Sequence, residues 1–446
     1  MRLAIIALLL LCTSLSFAQT NLNKEKLDKY LETLDVAKKA MFSLAISENG
    51  KVIYQNSIGF ASLEDNLKPN SNTQYRIGSI SKVFTATLIF QLIETGELSL
   101  DTKLSDYYPK VKNADKIKIS HLLSHRSGIH NFTDDPDFPT YMNRPKSKAE
   151  MVSLIENLDS DFEPNSKASY SNSAFVLLGY IIEDISGTSY KKHLHQNIVD
   201  KLGLIHTTYG GPIKTDKNQA KSYAYTTESW VASSIADMSI PGGAGALVST
   251  PTELNQFMHG LFAGELISNA SLSKMKEINQ GYGRGLFQFP FNGKIAFGHN
   301  GGIDSFVSNT AYFESENIGV SITFNGLNYV MNDVLIGVLS ITFGKNFEIP
   351  SFNQTVLLSA GELKNYEGTF SSVQIPLKIV IKATDGKLTA QATGQGAFPL
   401  TPSSKTEFKY DAAGVIMVFK SEDDNDDYEA FILKQGGQQF TFNKEK

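Results

Sequence analysis

The sequence predicts an α+β domain followed by a small all-β domain. Three observations carry that reading. β-type runs open and close the first part of the chain, apolar runs at helical spacing lie between them, and from about Ser351 the texture changes to short β-type runs cut by glycine turns. A chain of 446 residues is long enough for two such bodies, each with a core of its own.

At the N-terminus, Arg2 precedes an apolar run from Leu3 to Leu11, and Ser16-Phe17-Ala18 supplies a small-x-small cleavage pattern. Residues 1–18 are therefore expected to be a secretory signal peptide, and the protein to be periplasmic or extracellular. The run falls short of the roughly 20 residues that span a bilayer, which argues against an anchor, and no transmembrane segment is expected after cleavage. Cys12 offers a lipoprotein alternative, weakened because Leu11 stands where a small residue is usual. As Cys12 is the single cysteine, the mature chain has no disulfide, no thiol nucleophile and no Cys-ligated metal. A net charge of -5, 41% hydrophobic content and no basic patch with interleaved aromatics argue against nucleic-acid binding.

Residues 42–46 and 52–54 flank Asn49-Gly50 and read as a hairpin. Val83, Phe84, Leu88, Leu92 and Ile93 then recur at helical spacing up to Gly96, so Ser79 falls at or near the start of a buried helix. Residues 173–185 repeat the pattern, and Gly187 ends it. Ile318, Val320, Ile322 and Phe324 alternate with smaller or polar residues after the turn-like segment 314–317, which predicts a strand paired with residues 306–313. Residues 334–343 read as a helix. Strands at both ends imply a sheet that joins the first and last segments. Beyond the linker 348–352, residues 377–381, 387–392, 415–420 and 428–433 are the β-type runs of a separate domain, 355–446.

Three clusters carry chemistry. Ser79-Ile80-Ser81-Lys82 puts a hydroxyl and an amine on one helix face, where the unpaired N–H groups of a helix start suit a developing oxyanion. Spacing alone leaves Ser79 as nucleophile or as helix cap, since Ser-x-x-Lys recurs at Ser189/Lys192, Ser271/Lys274 and Ser273/Lys276. Tyr170-Ser171-Asn172 precedes the second helix, although Tyr-x-Asn also occurs at Tyr54/Asn56 and Tyr141/Asn143. His299-Asn300-Gly301, followed by Gly302, is expected between a β-type run at 294–297 and a strand starting near Ile303. His-x-Gly occurs only there.

With these motifs in this order, and with YRIGSISKVFTATLIFQLIETGELSLDTKLSDYYP, ISHLLSHRSGI and GGAGALVSTPTEL between them, residues from about Phe42 to Phe343 resemble the serine β-lactamase and penicillin-binding-protein family. That family includes class C β-lactamases, D-alanyl-D-alanine carboxypeptidases and related esterases. The resemblance implies a β-lactamase/transpeptidase-like fold over residues 24–347, an antiparallel sheet flanked by helices with a helical subdomain, ahead of the barrel-like β domain. It implies Ser79 as nucleophile, with the other Ser-x-x-Lys copies arising by chance. Lys82 or Tyr170 would be the base, because burial lowers a lysine and a nearby ammonium lowers a tyrosine. Tyr170 would also deliver the proton to the leaving group, and Asn172 would hold the substrate amide and Lys82. Backbone N–H groups of Ser79 and Gly302 would form the oxyanion hole, with Gly301 and Gly302 letting the strand approach closely. Asn131, just after Ser127-Gly128, is a further substrate-binding candidate. No cofactor and no metal are implied, and the partner is a small-molecule or peptide substrate.

The activity expected is that of an exported serine hydrolase acting on D-amino-acid peptides or small amides and esters. A β-lactamase is the enzymatic alternative, and a catalytically weak binding or sensor protein the alternative from another class. His299 stands where many β-lactamases carry lysine, which makes strong β-lactamase activity less expected. If His299 meets a substrate carboxylate, binding should weaken as pH rises through a pKa near 6.5. Other features read as structural. His121 and His125, four apart, lack the adjoining Glu of a metalloprotease helix; His193 and His195 read as surface residues; Gly242-Gly243-Ala244-Gly245 reads as backbone close to the site; the acidic run 423–427 reads as a solvated hairpin tip.

Overall fold

The computed structural model describes residues 22–226, 229–352, 356, 358–384, 386–421 and 428–445. The expected signal peptide at 1–18, with Cys12, and the acidic run 423–427 lie outside the described residues. Helix α1 (Lys24–Val36) leads into a hairpin of β1 (Ala40–Glu48) and β2 (Lys51–Ile58). Its Asn49-Gly50 turn has φ of 50° and 74°, the left-handed pair that a tight two-residue hairpin requires. Helices α2 (Ser81–Glu94), α3 (Asn172–Ser186) and α4 (Pro251–Phe262) follow. Then come β3 (Phe287–Phe291), β4 (Lys294–Ile303), β5 (Phe306–Phe313), β6 (Ile318–Leu327) and helix α5 (Met331–Thr342). The strands run in the order β2-β1-β6-β5-β4-β3, each pair antiparallel, so the first and last segments meet as expected.

Strand alternation sorts the two faces of this sheet. Phe42, Leu44 and Ile46 of β1, with Ile318, Val320, Ile322 and Phe324 of β6, pack against Leu27 and Leu31 of α1 and Val334 and Val338 of α5. The small polar residues between them are buried as well, because α4 covers the other face. There Asn255 donates to the Ala45 carbonyl at 3.0 Å and accepts from Ser321 Oγ at 2.7 Å, so this buried amide has partners on both sides. The helical region has a separate core built on α2 and α3. In α2, 11 of 14 residues are buried, which means the helix has no solvent face and acts as a fixed post. Whatever its first turn carries is held rigid and dehydrated.

β4 departs from the sequence expectation. It runs unbroken through His299, Asn300, Gly301 and Gly302, pairing Thr310 with His299, Ser308 with Gly301 and Val307 with Gly302. The strand was expected to start only near Ile303; the close approach implied for the glycines holds at Gly301, whereas a Cβ on Gly302 would meet nothing within 4 Å. A Cβ on Gly301 would lie 2.0 Å from the Ile77 carbonyl oxygen.

The C-terminal strands are β7 (Gly368–Ser371), β8 (Lys378–Thr384), β9 (Lys387–Ala392), β10 (Phe398–Pro402), β11 (Glu407–Tyr410), β12 (Val415–Lys420), β13 (Ala430–Gln435) and β14 (Gln438–Lys444). They close into a barrel in sequence order, with Phe370 of β7 opposite Lys444 of β14. The sequence reading missed β7, β10, β11 and β14. β7 and β11 are four residues each, β10 carries two prolines and β14 is largely polar, and closure of the barrel gives each two partners. The barrel meets the first body where Lys39 pairs with Asp411 and where a Cβ on Gly414 would come within 3.1 Å of Val330 and Asp333. Among the described residues no helix is long and apolar enough to cross a membrane.

Candidate active site

Ser79 sits on a single 3₁₀ turn, Gly78–Ile80, immediately before α2. Gly78 has φ of 50°, and a Cβ there would come 2.8 Å from the backbone nitrogen of Gly302, so only glycine lets this turn lie against β4. Ser308 Oγ, on β5, fixes the same turn by donating to the Ile77 carbonyl at 2.9 Å. One helical turn on, the Lys82 side chain is completely buried. Its Nζ lies 2.9 Å from Ser79 Oγ, 2.8 Å from Asn172 Oδ1 and 2.7 Å from the Ala244 carbonyl.

Those three partners decide what the amine can do. Burial pushes Lys82 well below the ordinary lysine value. A neutral amine has two hydrogens and one lone pair. Asn172 Oδ1 and the Ala244 carbonyl can only accept, so they take the two hydrogens. The lone pair is left facing Ser79, the one partner able to donate. The expected closeness of Gly242–Gly245 to the site is thus explained by the carbonyl of Ala244.

Asn172, the first residue of α3, is held by contacts the sequence did not reveal. Its backbone N–H and side-chain Nδ2 donate to Asn131 Oδ1 at 2.9 and 3.2 Å, and Nδ2 also donates to Thr133 Oγ1 at 3.1 Å. Two expectations change accordingly. Asn131 is 7% exposed and spends its own Nδ2 on Asp134, so it supports Asn172 rather than contacting substrate. The Asn172 amide hydrogens face protein partners, leaving Oδ1 to act on Lys82. Thr133, absent from the sequence reading, lies on the cavity wall.

Tyr170 lies in the irregular segment before α3, with Lys82 Nζ 4.8 Å from its ring centroid. Burial drives its phenol well above the ordinary tyrosine value, and hydrogen bonding to Ser79 opposes this only in part. The expectation that a neighbouring ammonium lowers Tyr170 is therefore reversed, because burial, the largest influence on the phenol, raises it. His125 stacks on Tyr170 with centroids 4.4 Å apart, and Tyr282 and His299 lie further out at 6.4 Å.

His299 is 1% exposed, packs at a 38° tilt against Phe287 with centroids 4.3 Å apart, and donates from Nδ1 to the carbonyl of Asn300 at 2.5 Å. Burial, reinforced by Lys82, lowers its pKa to about 3. The expected titration near 6.5 is corrected by that burial. His299 is neutral throughout the physiological range and does not line the cavity, as Gly301 also does not. Gly302 does line it. The cavity, of about 300 Å³, opens beside Ser79, Asn172 and Gly302, with Phe132, Phe138, Met142, Ile240 and Ile303 forming apolar walls. Asp304 completes one wall, and its carboxylate is tied at 2.9 Å to Arg76, itself 3% exposed. Nothing local in the sequence points to this pair, whose members are 228 residues apart.

The other serine–lysine copies have local roles. Ser189 caps a short helix by accepting from the backbone N–H of Lys192 at 3.3 Å, and Ser271 and Ser273 lie within the helix Asn269–Met275. His193 and His195 lie half-buried at the surface, His195 bonding Thr208 Oγ1 at 3.1 Å.

Comparison with known proteins fits this geometry. The Beta-lactamase family profile matches residues 32–336. Teichoic acid D-alanine hydrolase of Staphylococcus aureus is 28% identical over 327 residues, 70% of this chain and 77% of that protein. A D-stereospecific amidohydrolase from Streptomyces sp. superposes with a TM-score of 0.62 at 25% identity, covering 72% of this chain and 99% of that one. The octameric penicillin-binding protein homologue from Pyrococcus abyssi shares the fold over 94% of this chain and 99% of its own, with a TM-score of 0.67 at 23% identity. With the profile spanning the sheet, the helical region and every residue around Ser79, the chain belongs to the beta-lactamase family and is a serine hydrolase.

Proposed function

We propose that this protein hydrolyses amides or esters of D-amino acids through an acyl-Ser79 intermediate, with Lys82 as the base that activates Ser79. One observation carries the reading: Lys82 Nζ has two acceptor-only partners and Ser79 as the third. Lys82 takes the Ser79 proton as Oγ attacks the carbonyl. Backbone N–H groups of Ser79 and Gly302 receive the oxyanion. Tyr170, kept as a neutral phenol, passes a proton to the leaving amine or alcohol and is reprotonated from Lys82. Water then attacks the acyl-serine by the same route in reverse, releasing the acid and restoring Ser79.

Substrate choice rests on the cavity and the relatives. Among the described residues that line it there is no Lys or Arg, and its charged member, Asp304, is paired with Arg76. With His299 neutral, a substrate carboxylate near the scissile bond finds no cation, which favours amides and esters over β-lactams and D-Ala-D-Ala termini. The similarity to a D-alanine hydrolase and a D-stereospecific amidohydrolase supports a D-configured acyl group. Residues 1–18 are proposed to direct export and be removed, which N-terminal sequencing of the mature protein checks.

The test is covalent labelling with a fluorophosphonate and with a fluorescent penicillin, peptide mapping, and kcat/KM for a D-amino acid amide, its L enantiomer, a D-Ala-D-Ala peptide and a penicillin. Label on Ser79 with the D-amide preferred supports the proposal. Absence of label on Ser79 from either probe overturns the nucleophile assignment, and preference for the penicillin shifts the reading to a β-lactamase.

A further inference from the structure

The histidine that the sequence paired with His121 as a possible metal ligand has other work. His121 Nδ1 accepts from the backbone N–H of Lys118 at 3.3 Å, whereas His125 turns inward, 2% exposed, with φ of 56°. Three separate contacts join it to the segment carrying Tyr170. Its carbonyl accepts the Ser169 N–H at 2.8 Å, its Nδ1 accepts the Ser171 N–H at 3.2 Å, and its ring stacks on Tyr170 itself at an interplanar angle of 29°. The residue before Tyr170, the residue after it and the phenol ring are all fixed by one side chain and its backbone. The ring is braced in turn by Phe175 of α3 at 5.2 Å and by Tyr282 at 5.1 Å.

We infer that His125 is the positioning residue for Tyr170, holding the phenol over Ser79 and Lys82 without touching the substrate. The inference rests on the proposed role of Tyr170 as proton donor to the leaving group. Tyr170 belongs to no helix or strand, so no ladder of its own sets its place. Because Nδ1 accepts a hydrogen bond, the ring proton sits on Nε2 and the imidazole is neutral. Burial, with Lys82 and His299 nearby, keeps it so. Reacting groups displaced by about 1 Å can lose on the order of 10²-fold in rate, and His125 is the contact that prevents such a displacement.

The inference is tested by leaving-group dependence, using the full chain and rates normalised by fluorophosphonate titration of active sites. His125→Phe keeps a stacking ring and removes the acceptor. His125→Asn tolerates the left-handed backbone and keeps a short acceptor, but removes the ring. Each should lower kcat for a D-amino acid amide about 10- to 100-fold with little change in KM. For the p-nitrophenyl ester, whose leaving group departs without a proton, the loss should stay within about threefold. Neither variant should add to Tyr170→Phe on the amide. Equal losses on both substrates, full additivity with Tyr170→Phe, or insolubility of both variants would overturn the inference and leave His125 a folding residue. The two readings separate cleanly. Tyr170→Phe without leaving-group dependence sinks the role of Tyr170 and this inference with it, whereas dependence in Tyr170→Phe but not in the His125 variants sinks this inference alone.

Discussion

The barrel and the active site both bury aromatic rings, but they surround them differently. In the barrel, Phe370, Phe408, Phe419, Phe431 and Phe442 meet one another, with centroids 5.0 Å apart for Phe370–Phe431 and 5.5 Å for Phe408–Phe419. Around Tyr170 the rings of His125, Tyr282 and Phe287 pack beside His299 and the buried Lys82, whose amine meets Asn172 and Ala244 from far off in sequence. Burial in the barrel contributes stability, at about 1.5–3 kcal/mol for each large apolar side chain. Burial at the site contributes altered proton affinity, lowering Lys82 and His299 and raising Tyr170. Dehydration is thus a source of stability where only carbon is buried, and a means of tuning where an amine or imidazole is buried with it.

The sharpest way to break this contrast is Lys82→Ala. It should lower kcat on the order of 10²- to 10⁴-fold while the far-UV spectrum and melting temperature stay close to wild type. Lys82→Arg should not rescue, since guanidinium does not deprotonate at working pH. Near-normal turnover in Lys82→Ala would remove it from the mechanism. In the barrel the opposite pattern is expected. Phe419→Ala should destabilise by about 3–5 kcal/mol, read from denaturant unfolding, yet leave kcat/KM of the folded protein unchanged. A fall in kcat/KM at a temperature where the variant is fully folded would show that the barrel shapes the site.

A third expectation follows from His299. Its folded pKa of about 3 lies below the ordinary 6.5, so the stability that goes with its neutral form is complete above pH 6.5 and drains away as pH falls toward 3. The slope is at most about 1.4 kcal/mol per pH unit. His299→Gln should flatten that part of the stability profile, leaving the share due to His125, which is also held neutral by burial. An unchanged acid slope would mean that His299 is not dehydrated in solution. By the same reasoning kcat/KM should rise with pH through the lowered pKa of Lys82, with no step near 6.5 from His299. The smallest effect is expected from Thr133→Val, which removes one acceptor from the Asn172 amide. A loss of about 1 kcal/mol, or roughly fivefold in kcat, should appear with KM little changed.

Much of the fold was legible because its signals are local. Alternation at 318–324, the Asn49-Gly50 turn, the apolar run after Ser79 and the stop at Gly187 all act within a few residues, and each appears where expected. The strand through His299–Gly302 was expected to start only near Ile303, because glycine has weak β preference and the pairing with β5 that carries the strand through lies outside the local sequence. β10 and β11 were missed for a related reason. β10 carries Pro399 and Pro402 and β11 is only four residues long, and pairing across a closed barrel supplies what the local sequence lacks.

By itself, then, the sequence determined which groups could do chemistry: a serine and a lysine one helical turn apart, a tyrosine and asparagine before a second helix, and a histidine with two glycines ahead of a strand pair. Only the tertiary structure decided their states. Lys82 meets Asn172 and Ala244 across 90 and 162 residues, His125 reaches Tyr170 from a different loop, and Arg76 and Asp304 join from opposite ends of the domain. Proton affinity depends on the solvent a group has lost and on the charges and dipoles that replace it. Those are set by neighbours in space, so they enter the molecule only when the chain has packed.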